Sequence, residues 1–242
     1  MKVLERPTPN LSERPAGAVI DSLVLHYTGM TSGAAALARL TDPNAEVSAH
    51  YVVDVDGAIY RLASEAQRAW HAGLSVWGGR EGLNDTSVGV EIVNPGHEWG
   101  LALFPEPQIE ATIALCQGIV GRNAILPARV LAHSDIAPMR KLDPGEFFPW
   151  ARFARNSVGL WPDQPGRARF GARPTVIEAQ RMLAEWGYGI PESGVLCPLT
   201  QAVVAAFQRR YRPGRIDGVF DGECGALMAA LLAAVRLERR TP

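Results

Sequence analysis

The run SVGVEIVN at 87–94 is apolar on both faces of an extended chain and carries one acid, Glu91. A strand covered on both sides belongs in the middle of a sheet, with helices packed over it. The run SLVLHYT at 22–28 reads as a second buried strand, ending at His26. RVLAH at 129–133 is a third, ending at His133. AHYVVDVDGAIYRL at 49–62 is a hairpin, with two β-rich runs meeting at Asp56-Gly57. Between these lie helical patterns: GAAALARL at 33–40, and QIEATIALCQGIV at 108–120 behind Pro105 and Pro107. Strands alternating with helices predict an α/β domain over residues 20–156.

The flanks have a different texture. Residues 1–19, with Pro7, Pro9 and Pro15, read as an extended N-terminal arm. The stretch WPDQPGRARFGARP at 161–174 has no periodicity and sits at a linker over 157–172. Beyond it, TVIEAQRMLAEWG, PLTQAVVAAFQRRY and ECGALMAALLAAVRLE predict a three-helix domain over 173–242. Two turns in that region are alike, Gly194-Val195-Leu196 and Gly218-Val219-Phe220. A unit of about 70 residues is close to the lower limit for a self-sufficient core.

Charge excludes some partners. Lys+Arg is 24 against Asp+Glu 25, a net charge of -1, so nothing points to nucleic acid or an anionic membrane surface. No apolar run has the length of a membrane span. The segment MKVLERPTPNLSERPAG lacks the apolar centre of a secretory signal, which predicts a cytoplasmic protein, or a periplasmic one if the N-terminus was processed. Cys116, Cys197 and Cys224 form no CxxC pair, which argues against a disulfide framework or a cysteine metal site. Cys116 falls in an apolar helical pattern and reads as a small core residue.

The residues suited to chemistry gather around the strand ends. His26 and His133 each end a strand, and Asp143 follows His133 through a loop stiffened by Pro138 and Pro144. Two imidazoles and a carboxylate meet the need of a catalytic zinc for three protein ligands and one open position. The same spacing also fits a packed His133 and an Asp143 that caps a turn. Glu91, within an apolar strand, is costly to bury unless it is used, which fits a general base with a raised pKa. Lys141 lies two residues before Asp143, so an extended loop aims both side chains alike, and a cation there would stabilise an oxyanion. The loop AWHAGLSVWGGREGLNDTSVG at 69–89 offers Trp70, His71 and Asn84 as groove-lining groups for an amphipathic ligand such as a sugar. His50 is expected near the floor of the site, and His97 reads as a surface-loop residue without a role.

Together, LVLHYT, SAHYVVDVDGAIYRL, AWHAG, NDTSVGVEIVN and AHSDIAPMRKLDPG resemble, in order, the motifs of the zinc-dependent N-acetylmuramoyl-L-alanine amidases. That family shares its fold with the peptidoglycan recognition proteins. The resemblance covers roughly residues 20–155. It implies a central mixed sheet flanked by helices, with a groove above the zinc. It implies Zn2+ on His26, His133 and Asp143, Glu91 as general base and Lys141 on the substrate carbonyl. His71 and Asn84 match positions that line the substrate groove.

AQRMLAEWGYG, GVLCPLTQAVVAAFQRRY and IDGVFDGE resemble a peptidoglycan-binding module of three helices. The glycine usual before the Pro-x-Thr step is here Cys197. The partners implied are peptidoglycan fragments, muropeptides and anhydro-muropeptides. Amidases restricted to the anhydro form usually carry arginines where this chain has Glu46 and Gly82, so a broader substrate range is expected. Two rivals remain: a recognition protein that holds peptidoglycan without cutting it, and a zinc peptidase acting within the stem peptide. A missing ligand would mark the first, but all three ligand positions are filled.

Overall fold

The computed structural model describes residues 2–162 and 171–238. In chain order the first elements are β1 (Val3–Glu5), β2 (Leu11–Glu13), β3 (Ser22–Tyr27) and α1 (Gly33–Thr41). The hairpin strands β4 (Tyr51–Val53) and β5 (Ile59–Arg61) come next. Short strands β6 (Gln67–Ala69), β7 (Val76–Trp77) and β8 (Arg80–Glu81) lead to β9 (Ser87–Ile92). Then follow α2 (Gly96–Trp99), α3 (Glu106–Asn123), β10 (Val130–Ala132), α4 (His133–Ile136) and α5 (Trp150–Arg155). The C-terminal helices are α6 (Val176–Trp186), α7 (Pro198–Tyr211) and α8 (Gly222–Glu238).

The main sheet has the order β1-β5-β4-β9-β3-β10. Only the β4–β5 hairpin pairs antiparallel, so the sheet is mixed. Strand β9 is central because it pairs with β3 on one side and β4 on the other, and its Val88, Val90 and Ile92 are fully buried. Val88 and Val90 pack with Leu23 and Leu25 of β3 against Ile109, Ile113 and Cys116 of α3. On the opposite face, Val24 and Leu131 join a core built largely from the C-terminal helices, including Leu183, Val203, Phe207 and Leu231. Further along that face, Val52 and Val93 pack on Ala36 and Leu40 of α1. The C-terminal module thus closes one side of the sheet, and its core is continuous with that of the first domain.

The internal echo in the module is a structural repeat. Gln180 accepts a hydrogen bond from the Gly194 N–H at 2.7 Å and donates to the Val195 carbonyl at 3.0 Å. Gln208 accepts from the Gly218 N–H and donates to the Val219 carbonyl, both at 2.9 Å. Both glutamines are fully buried, and both glycines have positive φ, 72° and 70°, which side chains disfavour. Cys197 takes an ordinary φ of −109° as the N-cap of α7, so glycine is not required there.

Three expectations need correction. The N-terminal arm is not separate from the domain, because β1 pairs with β5 at the sheet edge and β2 pairs with β6. Arg14, within the arm, donates to the carbonyls of Glu65, Asn84, Asp85 and Ser87. Half of the linker expected over 157–172, residues 163–170, lies outside the described residues, but Val158 at its start is fully buried in the core around α3. The proline-rich segment after β10 is not devoid of helix. His133 opens the one-turn helix α4, where the Asp135 carboxylate accepts the Ala132 N–H at 2.9 Å. Among the described residues no helix is long and apolar enough to cross a membrane.

Candidate metal centre and substrate cavity

The parallel register sets Val24 beside Gly89 and His26 beside Glu91. Partners in register point to the same face, so His26 and Glu91 emerge together at the strand ends. His133 arrives from the first residue of α4, and Asp143 from the loop beyond it. The Ser134 N–H donates to the Asp143 carbonyl at 3.0 Å, which ties the two segments together.

Three donor atoms converge. His26 Nδ1 lies 2.9 Å from His133 Nδ1 and 3.0 Å from Asp143 Oδ2, and His133 Nδ1 lies 2.9 Å from the same oxygen. All three residues are buried. The fit to a metal is chemical as well as spatial: two imidazole nitrogens and one carboxylate oxygen at the corners of a small triangle. A tetrahedral ion with bonds of about 2.0–2.1 Å spaces its ligand atoms about 3.3 Å apart, close to these separations.

The hydrogen-bond network selects the tautomers this requires. The Ser87 hydroxyl donates to the Leu83 carbonyl, so its oxygen accepts from His71 Nε2–H at 3.2 Å. The lone pair of His71 is then on Nδ1, which accepts from His26 Nε2–H at 3.1 Å. His26 Nδ1 is left bare and faces the centre. His133 Nε2–H donates to the Ala72 carbonyl at 3.2 Å, which leaves its Nδ1 bare in the neutral ring. Burial, with a lesser contribution from His133, lowers His26 to about 4, and burial holds His71 well below its ordinary value, so both rings are neutral near pH 7. Burial opposes ionisation of Asp143; a proton on Nδ1 of His133 or His26 would outweigh burial and hold the carboxyl below its ordinary range.

A cavity of about 320 Å³ opens beside this triangle. Tyr27, Trp70, Glu91, Lys141, His133 and Asp143 are among its lining residues. Burial, reinforced by the Asp143 charge and offset by Lys141, pushes Glu91 well above the ordinary carboxylate range. Its Oε2 is buried without a hydrogen-bond partner among the described residues. Such an oxygen is costly to leave unmatched and is free to take a proton or a ligand.

The four residues expected to touch substrate separate into two groups. Trp70 is half-buried and lines the cavity, with its indole Nε1 donating to Ser12. His71 also borders the cavity, but both of its ring nitrogens are engaged by His26 and Ser87. His50 and Asn84 stand behind the wall. His50 has 0% exposure, with Nδ1 accepting from the Gly89 N–H and Nε2–H donating to the Gln67 carbonyl. Asn84 Oδ1 accepts the N–H groups of His71 and Ala72 at 3.0 and 2.7 Å. It therefore fixes the backbone that presents His71 and the Ala72 carbonyl. Both ring nitrogens of His50 and the Oδ1 of Asn84 are thus engaged by the protein and support the centre from behind.

Other groups escaped the sequence reading. Tyr27 lines the cavity, and its hydroxyl meets His97 Nδ1 at 3.0 Å. His97, read as a surface residue, is half-buried and also meets Glu146 Oε2 at 2.9 Å. Gly89 is required where it stands: a Cβ there would lie 2.3 Å from His71 Cγ. The one available signal was a glycine inside an otherwise apolar strand.

An α/β sheet with two histidines and an aspartate converging at its strand ends, beside a half-buried acid in a cavity, has the donor set of a metal-dependent hydrolase. Comparison with known proteins narrows the class. Residues 16–146 match the N-acetylmuramoyl-L-alanine amidase family, and residues 172–228 match a peptidoglycan binding domain. N-acetylmuramoyl-L-alanine amidase AmiD of Escherichia coli K12 is 39% identical over 233 residues, covering 88% of this chain and 82% of that protein. The structure of AmiD in complex with the substrate anhydro-N-acetylmuramic acid-L-Ala-D-gamma-Glu-L-Lys superposes with a TM-score of 0.81 at 35% identity. That match covers 93% of this chain and 98% of the other. The 1,6-anhydro-N-acetylmuramyl-L-alanine amidase AmpD of Enterobacter cloacae is 32% identical over 164 residues, covering 61% of this chain and 86% of that protein. The chain belongs to the N-acetylmuramoyl-L-alanine amidase family.

Proposed function

We propose that the protein hydrolyses the amide joining the lactyl group of N-acetylmuramic acid to the L-alanine of the stem peptide, with zinc on His26, His133 and Asp143. The observation that carries this reading is the meeting of three bare donor atoms, about 3 Å apart, beside the unpartnered oxygen of Glu91. Bound zinc would supply Lewis acidity and bring the pKa of a water toward neutrality.

The protein's own groups carry the rest. Glu91 takes a proton from the attacking water as the oxygen–carbon bond forms. It returns that proton to the alanine nitrogen as the carbon–nitrogen bond breaks. Lys141, across the same cavity, offsets the negative charge that grows on the carbonyl oxygen. The Trp70 ring offers an apolar face to the sugar. Products are the muramyl sugar and a peptide with a free L-alanine amino group.

Relatives named for, or bound to, anhydro-muramic substrates support the anhydro-muropeptide as one substrate, in peptidoglycan recycling. Glu46 and Gly82 stand where arginines accompany strict anhydro selectivity, which supports acceptance of ordinary muramic acid as well. The C-terminal module would hold the enzyme on polymeric wall.

The test is incubation of the zinc-loaded protein with anhydro-muropeptide and, separately, with intact sacculi. Mass spectrometry should find whole stem peptides headed by L-alanine from both. Peptides cut internally would identify a peptidase instead. Binding without any cleavage would identify a recognition protein.

A further inference from the structure

Helix α4, which carries His133, is four residues long. One turn cannot stabilise itself, because helix nucleation is unfavourable. Its placement therefore depends on what grips it from outside, and the strongest grip comes from the C-terminal module. The Tyr188 hydroxyl donates to Asp135 Oδ1 at 2.8 Å, and Arg210 Nη1 donates to Asp135 Oδ2 at 2.6 Å. Asp135 and Arg210 are 1% and 2% exposed.

Arg210 does more than pair with one acid. Its Nη2 donates to the Val130 carbonyl in β10 at 2.9 Å, and its guanidinium lies 4.0 Å over the Trp150 ring. Val130 precedes His133 by three residues, Asp135 follows it by two, and Trp150 opens α5 beyond Asp143. A single guanidinium thus clamps the segment that supplies two of the three donor atoms, at points before, within and after it. A buried ion pair is a poor source of stability, because two apolar residues of like volume would pack there at lower desolvation cost. What the pair adds over apolar packing is direction.

We propose that the C-terminal module is a positioning element of the amidase centre: Arg210 and Tyr188, through Asp135, set the turn that presents His133, and so set the affinity for zinc. This rests on the zinc reading given above. The module then has a task in the catalytic domain that is independent of wall binding.

The experiment measures zinc affinity in the full chain by competition with a chelator of known affinity, alongside the melting temperature of the metal-free protein. Three variants are compared with wild type. Tyr188→Phe removes one hydroxyl. The double change Asp135→Asn with Arg210→Gln removes both charges and the reach of the guanidinium to the Val130 carbonyl and the Trp150 ring. Leu231→Ala cuts a cavity in the module core without removing any polar group of the brace, as a measure of mere destabilisation.

The expected result is zinc affinity weakened about tenfold by the double change and by a smaller factor in Tyr188→Phe, in line with the loss of groups that orient ligands. Leu231→Ala should lower the melting temperature and leave zinc affinity at the wild-type value. Wild-type affinity in Tyr188→Phe and the double variant overturns the inference, as does equal weakening in Leu231→Ala. Should the double variant fail to fold, Tyr188→Phe alone decides by the same criterion. A wild-type protein that binds no stoichiometric zinc overturns the zinc reading and this inference together. Tight wild-type binding with unaffected brace variants overturns only the latter.

Discussion

His26 and Glu91 are register partners on the adjacent parallel strands β3 and β9, so a metal-ligand candidate and a half-buried acid leave the sheet side by side. Strand pairing, rather than loop folding, thus sets their relative position. Pairing in a central, doubly covered sheet leaves little freedom, which is what a reaction sensitive to small displacements requires.

Glu91→Gln keeps the size of this side chain and removes its capacity to accept a proton. Zinc content should stay at the wild-type level, because Glu91 is outside the triangle of donor atoms. Turnover should fall by about 10²–10⁴, the usual contribution of a positioned acid or base. Metal analysis and muropeptide cleavage on one preparation check both halves. Wild-type turnover would remove Glu91 from the proton path.

Much of this was legible because it lies in runs with a strong period. His26 and His133 follow apolar runs, Glu91 interrupts one, and α3 and α6–α8 announce themselves by helical spacing. The groups that hold the centre were not legible. His97 meets Tyr27 across 70 residues and Glu146 across 49, and no local pattern marks such contacts. The arm read as an extended segment of its own because Pro7, Pro9 and Pro15 mask two strands of three residues each. The helix α4 was hidden because its N-terminal cap is a tertiary arrangement, with Asp135 shared between Ala132 and the module.

Chelation should abolish hydrolysis, and added zinc should restore it. The folded state should also lose stability, because an ion that binds only the folded chain adds about 4 kcal/mol at a free concentration a thousand times its Kd. Asp143→Ala should lower zinc content and shrink the difference in melting temperature between metal-loaded and stripped protein. Normal zinc stoichiometry in Asp143→Ala would exclude it from the ligand set.

Gly89→Ala probes the orientation of His26 through His71. The new methyl would overlap the His71 ring, whose displacement breaks the chain from Ser87 through His71 to His26. The free proton on His26 then loses its acceptor, and the ring can turn or change tautomer. Zinc affinity should fall by about 10–100-fold, the usual effect of losing a group that orients a ligand. Chelator competition measures it, and unchanged affinity would show that the His71 ring does not set the His26 tautomer.

Glu65 gives a prediction on stability and pH. Its carboxylate accepts from Tyr51 at 2.9 Å, from Arg122 Nε at 3.0 Å and from Asn123 at 2.7 Å, fastening the end of α3 to the sheet. Burial pulls its pKa upward, but the hydrogen bonds of Arg122, Asn123 and Tyr51 outweigh burial and hold it below the ordinary value. Burial, reinforced by the Glu65 charge and hydrogen bond, pushes the Tyr51 hydroxyl up to about 12. A carboxyl with a lowered folded-state pKa contributes stability that is fully present above its unfolded value of about 4.3. That contribution is lost as pH falls through the lower, folded value. Glu65→Gln should therefore cost about 1 kcal/mol at pH 7, a modest figure because Arg122 is 46% exposed and screened. The gap between variant and wild type should narrow steadily below about pH 4. Denaturant unfolding of both proteins at pH 7, 5, 4 and 3 measures it, and a gap independent of pH would mean that the ionised carboxylate contributes nothing to this junction.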